Sequence, residues 1–454
     1  MKKIVSILSL SLISIGILSA CSSDISNKES KGNNDGKTEI KITWRDQGET
    51  DNLKNFLTNT FIPEFEKEND DIKIVLSPIT ASEGDYFSKV ALSMQSESTA
   101  PDVVAEDTFM LNSDANAGYL LPLDDKVKEW DDWKNYTENL KAGSIAEDGV
   151  LYAIPGVSDS RGLWYNKNVF KEVGLPEDWQ PKDWEEIIKA AEIIKEKAPD
   201  VIPLSMGVSK ANGESVSMQT FEMLLYGTED TLFDQDTKKW NVNTKGIEDS
   251  LAFIDEVFNK KKIGPSLSIA MNSNYGSVLF QDKFPNDKAG IILDGFWNTG
   301  NYKKGGAVPI ENMTERFGFA AMPRQKGDGT ITMSGGWSWS IPQKSKNHDA
   351  AWKVLQALGS KDNQASRAIS EGNLTVRSDS AEVPEYKEQP FIEEATGFLE
   401  EAIFRPANDK YPNVSTEIQS MVEAVASGSK TPQEAAKTYT DNVTRIVGEE
   451  NVNK

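Results

Sequence analysis

Cysteine and histidine are almost absent from this chain of 454 residues, which contains one of each. One cysteine cannot form a disulfide within the chain. One imidazole cannot build a multi-histidine metal site, and a Ser-His-Asp triad could use only His348. Basic residues are also scarce, with 49 Lys and Arg against 71 Asp and Glu and a formal net charge of −22. This charge argues against a nucleic-acid-binding protein, which requires a basic surface.

Long apolar runs are missing as well, except at the N-terminus. Lys2 and Lys3 precede a short apolar stretch that ends in small residues, so residues 1–20 are predicted to be a secretory signal peptide. The stretch ends in the letters LSAC at 18–21, which resembles a bacterial lipobox. We therefore expect a lipid on Cys21, which would be the mature N-terminus, and a location on the outer face of the cytoplasmic membrane, extracellular in a Gram-positive-type cell. The alternative is a short membrane anchor with an incidental cysteine.

The segment that follows is too polar to bury a core. Residues 21–37 contain a single large apolar side chain, Ile25, among Ser, Asn, Asp, Lys and Gly. Such a composition is typical of a flexible linker. We predict that this segment tethers a folded domain to the lipid.

From residue 38 onward the pattern becomes globular. Ile40, Ile42 and Trp44 alternate with polar residues, and two further apolar stretches follow at 72–76 and 103–105. These are strand patterns, and helical apolar periodicity separates them at 51–69 and around 90–94. Strands that alternate with helices predict an α/β fold with a mainly parallel sheet.

A set of short motifs then occurs in a fixed order along the chain. They are ITWR at 42–45, APDVV at 100–104, GYLLPLDD at 118–125, GVLYAIP at 149–155, WYNKNVF at 164–170, AGIILDGFW at 289–297, FGF at 317–319, GGW at 335–337 and SKNHDAAW at 345–352. In this order they resemble the solute-binding lipoproteins of carbohydrate ABC importers, the maltodextrin-binding-like family 1 group. One departure is PKDW at 181–184, where the family has Pro-Thr-Trp, but Asp183 can cap a helix as Thr does.

The resemblance implies a two-lobed periplasmic-binding-protein-like fold of type II, with a ligand cleft between the lobes and a hinge that the chain crosses several times. On this basis the N-terminal lobe comprises residues 38–152 and 334–372, and the C-terminal lobe comprises residues 156–330 and 376–454. The implied protein is a monomer and not an enzyme, without cofactor or metal. It captures an oligosaccharide and delivers it to ABC permease subunits in the membrane, and it binds no nucleic acid.

Sugar recognition requires flat aromatic faces and side chains with several hydrogen-bonding atoms. Strand ends and the loops after them are the places where such residues act. The candidates found there are Trp44, Asp46, Gln47, Glu106, Asp107, Asp159, Arg161, Trp297, Trp337 and Tyr411.

Each candidate also has a structural alternative. The tryptophans could be core or hinge packing, and Trp44 shares a strand face with two isoleucines. Asp107 could cap a helix, Asp159 and Arg161 could form an ion pair, and Tyr411, placed in a loop before the penultimate helix, could only pack.

Two other functions stay open at this point. A glycoside hydrolase needs two carboxylates and no histidine, and this chain has many carboxylates. A sugar-sensing or adhesive lipoprotein could use the same two-lobed fold. The charged candidates leave a uronic-acid or amino-sugar ligand open as well.

Overall fold

The computed structural model describes residues 36–46 and 51–453. Its strands are β1 (Thr38–Thr43), β2 (Arg45–Asp46), β3 (Ile72–Leu76), β4 (Ile79–Thr80), β5 (Val103–Asp107), β6 (Ala153–Pro155), β7 (Arg161–Asn166), β8 (Ile202–Ser205), β9 (Phe233–Asp234), β10 (Lys239–Asn241), β11 (Ala289–Gly295), β12 (Phe317–Ala320), β13 (Met322–Pro323), β14 (Thr330–Ser334), β15 (Trp337–Ser340), β16 (Ala402–Phe404) and β17 (Val452–Asn453).

The longer α-helices are α1 (Ile62–Glu68), α2 (Glu83–Met94), α3 (Lys167–Val173), α4 (Trp184–Lys197), α5 (Lys245–Asp255), α6 (His348–Leu358), α7 (Lys361–Glu371), α8 (Tyr411–Ala426) and α9 (Pro432–Val447). Shorter α-helical segments are Asn52–Phe56, Leu111–Asn116, Asp124–Lys128, Glu138–Ala142, Glu214–Val216, Met223–Leu225, Leu267–Ala270, Tyr275–Ser277, Thr299–Tyr302, Met313–Arg316, Pro384–Lys387 and Ile392–Gly397. Segments with π-helical bonding are Leu57–Phe61, Ser217–Glu222, Glu256–Lys260 and Val278–Lys283, and 3₁₀ turns occur at Asp131–Asn135, Lys210–Asn212, Phe296–Asn298, Phe398–Glu401 and Glu449–Asn451.

The first large sheet has five strands in the order β3-β1-β5-β15-β6. Strand β1 runs parallel to β3 and β5, and Ile42 lies beside both Leu76 and Val103. Strand β15 enters antiparallel to β5 and places Trp337 opposite Asp107. The sheet is mainly parallel, as predicted, with β15 from a distant part of the chain as its antiparallel strand. We call the region around this sheet the first lobe.

The second large sheet has four strands in the order β12-β7-β11-β8. Strand β11 runs antiparallel to β7 and parallel to β8, and every residue of β7 and β11 is buried. Strands with both faces covered read as continuous apolar runs, which explains the uninterrupted motif at 289–293. We call the region around this sheet the second lobe.

Helix starts follow the capping chemistry that the sequence indicates. The Asp183 side chain accepts a hydrogen bond from the Glu186 backbone N–H at 2.9 Å and begins α4. Thr431 and Glu434 form a reciprocal capping box at the start of α9. These bonds satisfy backbone donors that a helix end leaves free.

Three connecting segments run side by side between the two lobes: the first contains Gly156, Val157 and Ser158, the second contains Gly336 and Trp337, and the third contains Leu374. The Gly156 and Val157 backbone N–H groups of the first segment donate to the Trp337 carbonyl of the second at 2.9 and 3.1 Å. Ser158 exchanges two backbone hydrogen bonds of 2.8 Å with Leu374 in the third segment. The second segment turns at Gly336, whose φ of 137° requires glycine. The chain thus passes between the sheets at neighbouring points, an arrangement that permits hinge rotation.

Within the described residues, no helix is both long enough and apolar enough to cross a lipid bilayer. Thr38–Lys454 forms one compact unit.

Candidate ligand-binding site

A buried guanidinium joins the two lobes where their strand ends face each other. Arg405 follows β16, and its Nη2 donates to the Asp107 carboxylate at 2.5 Å and to the Thr108 hydroxyl at 3.1 Å. Its Nη1 donates to Glu214 Oε2 of the second lobe at 3.1 Å. Asp107 ends β5, so Arg405 connects the edge of the first sheet with the opposite wall. Charge-assisted bonds of this kind are the stronger hydrogen bonds of proteins.

Behind Arg405 a tyrosine lies between two carboxyl groups. The Tyr411 hydroxyl lies 3.0 Å from Glu214 Oε2 and 2.6 Å from Glu222 Oε1. A hydroxyl has one proton to donate, so one of these contacts needs a proton from the carboxyl group. Burial, followed by the neighbouring Glu214 charge, raises the pKa of Glu222 to about 8. A protonated Glu222 can therefore donate to Tyr411 while Tyr411 donates to Glu214.

A second cluster stands on the second lobe beside the hinge. Arg161 donates to Asp159 and, at 3.0 Å, to the Met333 carbonyl, and its guanidinium lies 4.9 Å from the Trp297 ring centroid. The Gly335 backbone N–H donates to Asp159 at 2.9 Å. The cation and the partly exposed indole thus form a stacked platform at the cleft wall.

Gly335 brings the two clusters together. A side-chain carbon added at this position would lie 2.8 Å from Arg405 Nη2. Glycine is therefore needed here because the hinge backbone runs directly against the Arg405 guanidinium.

The rim of the first lobe contributes a third group of charges. Burial raises the pKa of Glu83, in the first turn of α2, to about 7, although Arg45 opposes this shift. Arg45 Nη1 lies 3.8 Å from the Glu83 carboxylate. A side-chain carbon at Gly213 of the second lobe would lie 3.2 Å from Glu83 Oε2, so this carboxyl group reaches the opposite wall. Asp46 accepts a hydrogen bond from Thr80 at 2.9 Å.

The structure brings Asp107, Asp159, Arg161, Trp297 and Tyr411 into this connected region. Trp337 is partly exposed, and its ring stacks on Phe87 with the centroids 6.0 Å apart. Asp107 also accepts a hydrogen bond from the Phe109 backbone N–H at 3.2 Å, so it caps a turn as well as binding Arg405.

Three predicted residues lie in different surroundings from those expected. Trp44 is 1% exposed in the first-lobe core, and its indole N–H donates to Asp51 at 2.7 Å, which favours packing over ligand contact. Tyr411 is not in a loop; it is the first residue of α8 and is fully buried. Glu106 is fully buried, and this burial, followed by the nearby Asp114, raises the pKa of Glu106 well above its ordinary value, so Glu106 is a core group. Gln47 and Cys21 lie outside the described residues.

Sequence reasoning missed Arg405, Glu214, Glu222 and Glu83. The only signal for Arg405 was its place before Pro406, at the end of an apolar triplet. Glu214 and Glu222 occupy short helical segments without a clear apolar period, so nothing in the sequence distinguished them from surface carboxylates.

In this conformation the floor of the cleft is nearly filled. A cavity of about 10 Å³ is lined by residues that include Thr108, Pro155, Gly335 and Phe404. This volume accommodates about one water molecule and no sugar ring. Asn408 Nδ2 donates to Glu147 at 3.0 Å farther along the same interface.

Two α/β lobes with polar and aromatic groups converging on the cleft between them define a class of hinged binding proteins. The profile of bacterial extracellular solute-binding proteins matches residues 50–365. The chain belongs to this family, and the predicted solute-binding function is confirmed.

Similar proteins agree with this assignment. The chain is 25% identical to the maltodextrin-binding protein MdxE of Bacillus subtilis, over 96% of this chain and 95% of that protein. Among solved structures, a solute-binding protein of Thermotoga lettingae bound with alpha-D-tagatose superposes with a TM-score of 0.78 at 23% identity, covering 91% of this chain and all of that one. The GacH receptor of Streptomyces glaucescens superposes with a TM-score of 0.77 at 23% identity, covering 90% and 99%. The predicted two-lobed fold is thereby confirmed.

Proposed function

We propose that this protein is the substrate-binding lipoprotein of an ABC importer and that its substrate is an oligosaccharide. The observation that carries the proposal is the convergence of both lobes on one cleft. Asp107 and Glu83 approach from the first lobe, and Arg161, Trp297 and Glu214 approach from the second. Carboxylates accept hydrogen bonds from sugar hydroxyls, guanidinium groups donate to them, and an indole face packs against a sugar ring.

The relatives support the sugar as ligand class. One is named a maltodextrin-binding protein, and a second, from Streptococcus mutans, is named a multiple sugar-binding protein. Among the structures that share the fold, the Thermotoga lettingae protein is described as bound with tagatose, and the GacH receptor is described both unliganded and in complex with acarbose.

Capture without chemistry is part of the same proposal. Four carboxyl groups near the cleft have partners in the protein: Asp107 and Glu214 bind Arg405, Glu222 contacts Tyr411, and Glu83 lies 3.8 Å from Arg45. A glycosidase needs one free acid and one free base on opposite sides of the scissile bond. The arrangement therefore favours binding over hydrolysis.

The lobe boundaries and the anchor complete the proposal. We assign residues 38–152 and 334–372 to the first lobe and residues 156–330 and 376–454 to the second. A lipid on Cys21 would hold a monomer at the outer membrane surface, where residues 21–37 would leave the folded domain free to meet the permease.

The test uses the chain from residue 37 onward. It is titrated calorimetrically with neutral, amino and uronic oligosaccharides, and each sugar is then analysed by chromatography. We expect at least one oligosaccharide to bind with a stoichiometry of one and to be recovered intact. Binding of no sugar contradicts the substrate class, and recovery of shortened sugars establishes the glycosidase instead.

A further inference from the structure

One buried arginine lies behind the hinge and takes no part in the cleft. Arg367 belongs to α7 and is 1% exposed. Its Nε donates to the Glu371 carboxylate at 2.6 Å, and its guanidinium lies 4.7 Å from the centroid of the Trp339 ring. Trp339 belongs to β15, the strand that leaves the second hinge segment. The Arg367 side chain therefore contacts the strand that follows the second hinge segment. Arg367 itself lies one helical turn before the third hinge segment.

The first hinge segment packs against the same guanidinium. A side-chain carbon at Gly156 would lie 2.2 Å from Arg367 Nη1 and 2.7 Å from the Trp337 carbonyl oxygen. Gly156 also donates its backbone N–H to that carbonyl at 2.9 Å. Glycine is required here because the guanidinium and the second segment occupy the side-chain position.

The third hinge segment is linked through Glu371. This carboxylate binds Arg367 through Oε1 and accepts a hydrogen bond from the Asn373 side chain through Oε2 at 3.2 Å. Gly372, between them, has a φ of 74° and approaches the Thr299–Tyr302 helix, where a side-chain carbon would lie 2.7 Å from the Gly300 nitrogen. All three hinge segments are therefore connected to the Arg367 side chain, directly or through Glu371.

The guanidinium is incompletely bonded in this conformation. Neither Nη1 nor Nη2 of Arg367 has a hydrogen-bond acceptor among the described residues. A buried donor without an acceptor costs free energy, so this arrangement of the hinge is disfavoured relative to one in which the donors are satisfied.

We propose that Arg367 is the positioning residue of the hinge: it sets the spacing of the three segments and biases the ligand-free protein away from lobe contact. The hinge bias would lower the affinity for ligand, because binding must first overcome it. Only this consequence for affinity rests on the proposed sugar-binding function. The bias itself is measured without any ligand.

The experiment measures the distance between the lobes by pulsed electron resonance. The only cysteine is residue 21, so a chain that begins at Lys37 accepts labels at cysteines placed in α2 at Lys89 and in α4 at Glu196, both exposed. Arg367→Met removes the unbonded donors at similar length. We expect a shorter mean distance and a larger population with the lobes in contact. If the Met variant does not fold, Arg367→Lys replaces it. This variant retains a partner for Glu371 and should shift the mean distance in the same direction.

Gly156→Ala supplies the second arm. Its methyl group overlaps Nη1, so we expect a longer mean distance, and we expect a smaller effect when Arg367→Met is also present. Gly397→Ala is the matched control, since a side-chain carbon there meets nothing within 4 Å. Unchanged distances in the Arg367 variants, with only the melting temperature altered, would assign Arg367 a merely structural role. Additive effects of the two hinge substitutions would equally overturn the proposal.

Discussion

Arg405→Met is the substitution for which the structure predicts the largest loss of stability. The Arg405 side chain is 4% exposed, and its partners Asp107 and Glu214 are 10% and 8% exposed. Removing the cation leaves two buried carboxylates without their counter-charge. Breaking a buried ion pair from one side costs about 3–5 kcal/mol, so we expect a loss in this range at pH 7.

The assay is urea unfolding of the chain from residue 37. The dependence of the unfolding free energy on urea concentration is compared between variants. Arg445→Met is the matched control, because Arg445 is exposed on α9 and its guanidinium donates to the Asn442 side chain at 2.8 Å. It should cost less than about 1 kcal/mol, as surface substitutions do.

The pH dependence gives the same prediction a second test. Burial already raises the pKa of Asp107 even though Arg405 opposes the shift, and without Arg405 the pKa rises further. A group with a raised native pKa binds more protons in the folded than in the unfolded state, so the loss caused by Arg405→Met should shrink as the pH falls from 7 to 5. A loss below about 1 kcal/mol at pH 7, equal to that of the control, would refute the account of Arg405 as an interlobe ion pair.

Three further predictions concern the anchor, the cleft wall and a buried acid. Cys21→Ala should abolish fatty-acid labelling and either release the protein into the medium or leave it uncleaved; equal labelling of parent and variant would contradict the anchor. Trp297→Ala should weaken sugar binding by about 2 kcal/mol or more in calorimetry. Trp337→Ala should also weaken sugar binding, and in addition it should lower the stability because the Trp337 ring packs on Phe87. Wild-type affinity in both variants would show that neither ring contacts sugar. Burial raises the pKa of Glu222 from 4.5 to about 8, so Glu222 should lower the unfolding free energy as the pH rises between these values. Glu222→Gln should remove this contribution and leave the one from Glu83. An unchanged slope in Glu222→Gln would contradict the assignment.

Local patterns predicted the elements of the fold well. The alternation of Ile40, Ile42 and Trp44 identified a strand. Ile40 and Ile42 lie in β1, Trp44 follows its last residue, and all three side chains are buried in the first-lobe core. The capping residues Asp183 and Thr431 marked helix starts that the structure contains. These signals depend on neighbours in sequence, which is why they could be read without knowledge of the fold.

The site was less predictable because its contacts are remote in sequence. Arg405 and Asp107 are 298 residues apart, and Arg405 and Glu214 are 191 apart. No periodicity connects such positions. Strand-end reasoning selected Asp107 and Trp297, since strand ends meet at one edge of a sheet. It also selected Trp44, although the two isoleucines on the same strand face already made core packing a stronger alternative there than for Trp297.

We propose that both lobes hold one oligosaccharide at once. Small-angle scattering of the chain from residue 37, recorded before and after saturation with the sugar identified by calorimetry, tests it most directly. In the proposed mechanism the lobes of the ligand-free protein are apart on average, and groups such as Asp107 and Trp297 approach each other when a ligand lies between them. The bound protein should therefore have the smaller radius of gyration. A sugar that saturates the protein and leaves the scattering curve unchanged would contradict capture by closure.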